Sequence, residues 1–198
     1  MRILTTLLLL LLVALPAAAQ SGDMPPTPLD HLQIAFQVVA HLSRARLHVL
    51  AEDYEQAVAA YSQVIALTPD GVLAYRERGT LYAENRNYPA AMADYNRYID
   101  LLPEAPEGYL LRGKLYVRQQ DLDAALVDFN QAVALDPAYA PVYLERGLLY
   151  RVTGDADSAL ADYNLYTDLQ PDDAEGYFRR ADLYLALDDL PAVISDLS

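Results

Sequence analysis

Apolar and aromatic residues recur along most of this chain at helical spacing. Tyr75, Gly79 and Tyr82 stand at i, i+4 and i+7, one face of a helix, and Ala91 and Tyr95 mark a second face at i, i+4. Both faces return every 34 residues. The first gives columns at Tyr75, Tyr109, Tyr143 and Tyr177, at Gly79, Gly113 and Gly147 (continued by Ala45 and Ala181), at Leu47, Leu81, Leu115, Leu149 and Leu183, and at Tyr82, Tyr116, Tyr150 and Tyr184. The second gives Ala57, Ala91, Ala125 and Ala159, each followed four residues on by Tyr61, Tyr95, Phe129 or Tyr163. Pro69, Pro103, Pro137 and Pro171 punctuate the series. The pattern predicts two-helix units over 38–71, 72–105, 106–139, 140–173 and a clipped 174–198.

Terminus signals agree with this division. Glu55, Pro89, Asp123, Asp157 and Pro191 share a column at the start of the second helix, where fixed φ or a negative charge suits the first turn. Thr27, Pro28 and Asp30 read as a capping box that starts a longer first helix, one able to cap the array. A longer period overlies the short one. Asp94-Tyr95-Asn96-Arg97-Tyr98 returns as Asp162-Tyr163-Asn164-Leu165-Tyr166, and Glu107-Gly108-Tyr109 as Glu175-Gly176-Tyr177, both after 68 residues, which implies duplication of a two-hairpin unit.

These columns resemble the tetratricopeptide repeat, whose 34-residue signature runs aromatic, Leu-Gly, Tyr, small Ala, aromatic and closing Pro. The resemblance covers residues 38–198 and implies an all-α fold of tandem helix-turn-helix repeats stacked into a right-handed superhelical solenoid. It departs from the family at Arg44, Arg78, Arg112, Arg146 and Arg180, where Leu precedes the Gly, at Tyr98 and Tyr166, which replace a small Ala, and at His41 and His48, which replace aromatics.

The amino terminus changes the setting. Arg2, an apolar run from Ile3 to Leu15, and Ala17-Ala18-Ala19 ahead of Gln20 read as a signal peptide over 1–19, followed by a tether over 20–27 and the repeat domain over 28–198. The run is short for a membrane span, which needs about 20 residues, so the mature chain is expected without one, secreted or periplasmic. With no Cys it cannot mispair in an oxidising compartment. The net charge of −14 becomes −15 once Arg2 is lost, which disfavours nucleic acid and anionic lipid.

No catalytic constellation emerges. The chain lacks a phosphate loop, a nucleophile elbow and a His-Glu-x-x-His stretch. His41 and His48 lie two helical turns apart, about 10 Å, too far to share a metal. Asp172-Asp173 and Asp188-Asp189 fall in turns, where capping is their ordinary work. Tyr88 and Tyr139 are the tyrosines left over for a surface. The expectation is a non-enzyme with neither cofactor nor metal.

The remaining candidates concern holding a partner. The resemblance implies that first helices line the concave face. Their residues turned from the Tyr-Gly-Tyr face include Arg46, Arg76, Leu110, Lys114, Arg118, Leu144, Arg151 and Phe178, with Glu84 and Glu107 among the acids. This set predicts a relatively basic groove with an apolar strip, suited to a protein or peptide segment with apolar anchors and acidic flanks. Relatives that clamp a terminal carboxylate use Lys and Asn where Arg76, Thr80, Leu110 and Lys114 stand here, which implies an internal segment. The Arg column and Asp94, Asp128, Asp162 and Asp196 predict a ladder of ion pairs between helices. The short last helix leaves Leu187, Val193, Ile194 and Leu197 without cover, which predicts fraying, a truncated chain or a homo-oligomer through the C-terminal end.

Overall fold

The structure is a computed structural model that describes residues 27–197. Every regular element among these residues is a helix: α1 (Pro28–Leu50), α2 (Tyr54–Leu67), α3 (Val72–Glu84), α4 (Tyr88–Leu101), α5 (Pro106–Arg118), α6 (Leu122–Leu135), α7 (Ala140–Thr153), α8 (Ala156–Leu169), α9 (Ala174–Ala186) and α10 (Leu190–Asp196). The leader expected over 1–19 and all but the last residue of the tether lie outside the described residues. The chain divides into two compact units, Met1–Ala74 and Tyr75–Ser198.

In the first unit the capping box forms: the Thr27 hydroxyl accepts the Asp30 N–H at 3.3 Å and the Asp30 carboxylate accepts the Thr27 N–H at 2.8 Å. Helices α1 and α2 pair as a hairpin around Ala45, Ala57, Tyr61 and Val64, all buried. At 23 residues α1 is longer than the 13 or 14 of other first helices. Leu29, Leu32, Phe36 and Val39 in its amino-terminal half are each more than half exposed. A solenoid cap presents a polar outer face to water, so this helix lacks the surface expected of a cap.

The second unit carries α3 from Tyr75 onward with its partner α4, and the hairpins α5/α6, α7/α8 and α9/α10. Within a hairpin, Gly113 exists because its helix runs against an aromatic ring: an added Cβ would lie 2.6 Å from Phe129 Cε1. Between hairpins, size alternates. Tyr98 and Ile99 press on α5 where Gly108 stands, with 2.8 Å left for a Cβ, and Tyr166 presses on Gly176, with 2.5 Å. At the intervening step Ala132 and Val142 share one buried cluster, small on the second helix and large on the next first helix. The two-hairpin period is thus a packing rule: a large residue must meet a small one, and the order reverses at each step.

The turns repeat as well. Each first helix ends in a left-handed residue, Arg86 (φ 60°), Gln120 (φ 64°), Gly154 (φ 84°) or Asp188 (φ 59°), with Glu52 (φ 56°) equivalent in the first unit. The next residue caps the second helix: Asn87, Asp121, Asp155 and Asp189 each accept an N–H three residues on. Asp173 caps α9, so one member of each paired carboxylate is a cap. The tyrosine and proline columns are joined by hydrogen bonds, since the hydroxyls of Tyr109, Tyr143 and Tyr177 donate to the carbonyls of Pro103, Pro137 and Pro171 at 2.8 to 3.3 Å.

Candidate functional site

Two sets of charges with different environments run through the second unit. The first is the expected ladder. Arg78, Arg112, Arg146 and Arg180 each grip Asp94, Asp128, Asp162 or Asp196 with two parallel N–H donors at 2.5 to 2.8 Å. The acids lie sixteen residues on, across the hairpin, with side chains at most 6% exposed. A third donor from Arg112, Arg146 and Arg180 reaches back to Asn96, Asn130 and Asn164 of the preceding hairpin at 2.7 to 2.8 Å. Tyr143 and Tyr150 flank Arg146 with ring centres 5.6 and 5.8 Å from the guanidinium carbon. Hydrogen bonding to the carboxylate holds these arginines above their ordinary value against the opposing effect of burial. With its carboxylates buried and each gripped by two donors, the ladder fixes hairpin orientation.

The second set lies on the first helices and is looser. Arg76 reaches Glu107 at 3.2 Å and Glu77 at 2.5 Å, Lys114 reaches Glu145 at 2.5 Å, and Arg151 reaches Asp182 at 3.4 Å. Glu107, Glu145 and Asp182 each follow their base by 31 residues, so each pair ties one first helix to the next. These side chains are 27 to 57% exposed, the regime in which an ion pair contributes little, up to about 1 kcal/mol, and exchanges readily. Arg118 pairs with no acid among the described residues; it donates to the Ala83 carbonyl at the end of α3, at 3.1 Å.

The predicted site residues therefore separate. Arg76, Lys114, Arg118 and Arg151 share the face of the first helices, and Phe178 is 58% exposed on α9. Arg46 is exposed on α1, in the other unit. The apolar strip needs correcting at two positions. Leu110 is only 6% exposed, inside the cluster that holds Phe129, Val142 and Tyr143, and Leu144 is half-buried against the same cluster, because α7 packs over that side of α5. Tyr139 is likewise packed on that cluster and Tyr88 on another, so neither is a free surface ring. Glu77 and Glu145 escaped sequence reading. The 31-residue spacing, one repeat less one turn, was the signal that could have found Glu145.

The same face holds a cavity of about 150 Å³ between α3, α4 and α5. Ala83, Tyr95 and Leu115 form its floor, and Thr80, Lys114 and Arg118 supply polar groups around it. The Tyr95 hydroxyl donates to Thr80 Oγ1 at 3.4 Å, and burial pushes that phenol up. Nearby, the Tyr98 hydroxyl donates to Glu107 at 2.9 Å and is pushed up to about 12, by burial first and then by the carboxylate it serves.

Three family models together match residues 45–173: one described as Tetratricopeptide repeat over residues 45–113, one as TPR repeat over 113–153, and one as Tetratricopeptide repeat over 140–173. The chain belongs to the tetratricopeptide repeat family. Solved tetratricopeptide structures share its fold. The crystal structure of MamA protein matches with a TM-score of 0.66 at 20% identity, over 81% of this chain and 88% of that one. A thermophilic TPR protein of Thermus thermophilus gives 0.66 at 24% identity, over 79% and 87%. The first TPR of Spaghetti (RPAP3), bound to the HSP90 peptide SRMEEVD, gives 0.56 at 27% identity, over 59% and 95%. No curated protein matches the chain in sequence. No helix among the described residues is long and apolar enough to cross a membrane.

Proposed function

We propose that this tetratricopeptide repeat protein is an exported scaffold whose first helices α3, α5, α7 and α9 hold a segment of another protein. The observation that carries this reading is the contrast between its two charge sets. The Arg–Asp ladder is held by paired donors on buried carboxylates, whereas the half-exposed pairs on the first helices can open and re-form around a ligand with little loss. Phe178 on the same series of helices supplies an exposed apolar anchor. The held segment is internal, with apolar anchors and acidic flanks, and the protein performs no catalysis of its own. The Spaghetti relative binds a peptide that contains two adjacent glutamates, which supports an acidic partner here. Export is tested by sequencing the mature amino terminus from the secreted or periplasmic fraction, where a start at Gln20 is expected. Holding is tested by crosslinking and mass spectrometry in that fraction, with Lys114→Glu/Arg118→Glu beside the native chain. Partner capture unchanged by the double reversal, in a protein shown to remain folded, would remove this face as the binding surface.

A second reading has its own observation. Leu187, Leu190, Ile194 and Leu197 at the C-terminal hairpin are each about half exposed or more, which suits a structural subunit that self-associates through this end. Light scattering after size exclusion decides: a monomer that persists at the highest soluble concentration rules it out.

A further inference from the structure

The cavity over Ala83 has an internal counterpart that indicates what fills it. Sixty-eight residues on, in the duplicated hairpin, Tyr163 stands for Tyr95, Leu183 for Leu115, Arg151 for Ala83 and Asp182 for Lys114. There the chain provides its own occupant. Arg151 extends from the Ala83 column to an ion pair with Asp182 at 3.4 Å, its Nε buried, and its charge bears on the buried Tyr163 hydroxyl. At the earlier step the alanine leaves the space open and the charge at the receiving position is inverted, Lys114 in place of Asp182. Arg118, where the counterpart has Ala186, adds a second cation at the rim.

We infer that the Ala83 cavity is a subsite for a carboxylate side chain, a glutamate of the held segment, which enters where Arg151 lies in the duplicate and pairs with Lys114 and Arg118. This deepens the peptide-holding reading and rests on it. Lys114 has three donors, so its contact with Glu145 leaves it able to take a second acceptor, and Arg118 uses one guanidinium nitrogen on the Ala83 carbonyl. A carboxylate is preferred to a neutral amide because the donors at Lys114 and Arg118 are both ionised. Glu84, exposed on the rim, opposes it.

The test uses small probes and methyl-resolved NMR on the full mature chain: N-acetylglutamate N-methylamide, with the glutamine and arginine analogues as controls. The glutamate probe should shift the methyl signals of Ala83, Leu111 and Leu115 with millimolar affinity, about tenfold tighter than the glutamine analogue. Ala83→Arg should abolish the effect by supplying the duplicate's own occupant, and Ala83→Met should do so by volume alone, with circular dichroism confirming the fold of each. Glu84→Gln should tighten binding by roughly two- to threefold. Glutamine or arginine binding as well as glutamate would overturn the proposal, as would glutamate shifts at the Leu111 and Leu115 methyls that survive Ala83→Met. The two readings fail separately. If Lys114→Glu/Arg118→Glu abolishes capture of the native partner while the glutamate probe never binds, the groove stands and the subsite falls. If the probe binds while capture ignores the reversal, the cavity takes carboxylates but the groove does not hold the partner.

Discussion

The first hairpin and the third occupy the same ruler yet are held together differently. In the third, Arg112 grips Asp128 across the hairpin and Asn96 on the one before, and Leu115 is 1% exposed in the cluster with Tyr95. In the first, the equivalent Arg44 is exposed, the position sixteen residues on is the buried Ala60, and Leu47, in the column of Leu115, is 67% exposed. Gly113 gives way to Ala45. A repeat column therefore names a slot, and the residue in the slot acquires its energetic role from what packs on it. The inner hairpin uses its arginine as a three-helix tie, while the first carries the same arginine with an alanine where the receiving carboxylate would stand.

The largest difference should appear when the tie is cut. Asp128→Ala strands Arg112 beside a half-buried cavity and should cost about 3–5 kcal/mol, read as lost amide protection in α5 and α6. The converse change probes the first hairpin. Ala60→Asp places a carboxylate in register with Arg44 and should stay within about 1 kcal/mol of the native chain, because the arginine already present compensates for the buried charge. Adding Arg44→Gln in that background should then cost more than Arg44→Gln alone. If Ala60→Asp is as damaging as Asp128→Ala, the two hairpins differ by more than the missing acid.

Next in size are the leucines. Leu115→Ala should lose about 2–5 kcal/mol by the cavity it leaves, whereas Leu47→Ala should change stability by less than about 0.5 kcal/mol, as an exposed substitution does. Equal losses in denaturant unfolding would mean that Leu47 is covered in solution.

This contrast marks what was legible in the sequence. The hairpins, their boundaries and the Arg–Asp ladder could be read because each residue recurs with its partner at a constant offset, 34 along the array or 16 across a hairpin. The fate of Leu110 could not, since its column turns toward the groove on a single helix and is covered only when α7 packs over it. The Ala83 cavity was also hidden. Nothing about an alanine announces an opening until the arginine at its duplicate shows what the space can contain. The contact of Tyr98 with Gly108 was legible only in part, because its ten-residue offset returns at Tyr166 and Gly176 but the step between carries the opposite sizes, Ala132 and Val142.

A smaller effect separates Tyr98 from Val64, its counterpart in the first hairpin. Tyr98 and Tyr166 are pushed up to about 12, burial being the first cause and hydrogen bonds to Glu107 and Asp173 the second. A group raised in the folded state contributes stability below its unfolded value, near 10, and loses it as pH rises through the folded one. Stability should fall between about pH 10 and 12. Tyr98→Phe should flatten part of that slope while lowering stability at neutral pH, since Glu107 loses a donor. Val64→Ala should lower stability with the alkaline slope unchanged. An unaltered slope in Tyr98→Phe would assign the alkaline loss to other groups.

The comparison should vanish at the helix starts. Asp53 accepts the Gln56 N–H at 3.3 Å and Asp121 the Ala124 N–H at 3.1 Å, so the same cap opens the second helix of both hairpins. Because this bond is local to three residues, it owes nothing to the neighbouring hairpins that distinguish Arg112 from Arg44. Asp53→Ala and Asp121→Ala should each cost about 1 kcal/mol, seen as faster exchange in the first turn of α2 and of α6. One small asymmetry remains. His48 Nδ1 lies 3.4 Å from Asp53, whereas Tyr116 stands in the column of His48 in the third hairpin. Costs that differ by more than about 1 kcal/mol at neutral pH would show that even the caps depend on array position, and the division between local and packed interactions drawn from Arg44 and Arg112 would fail.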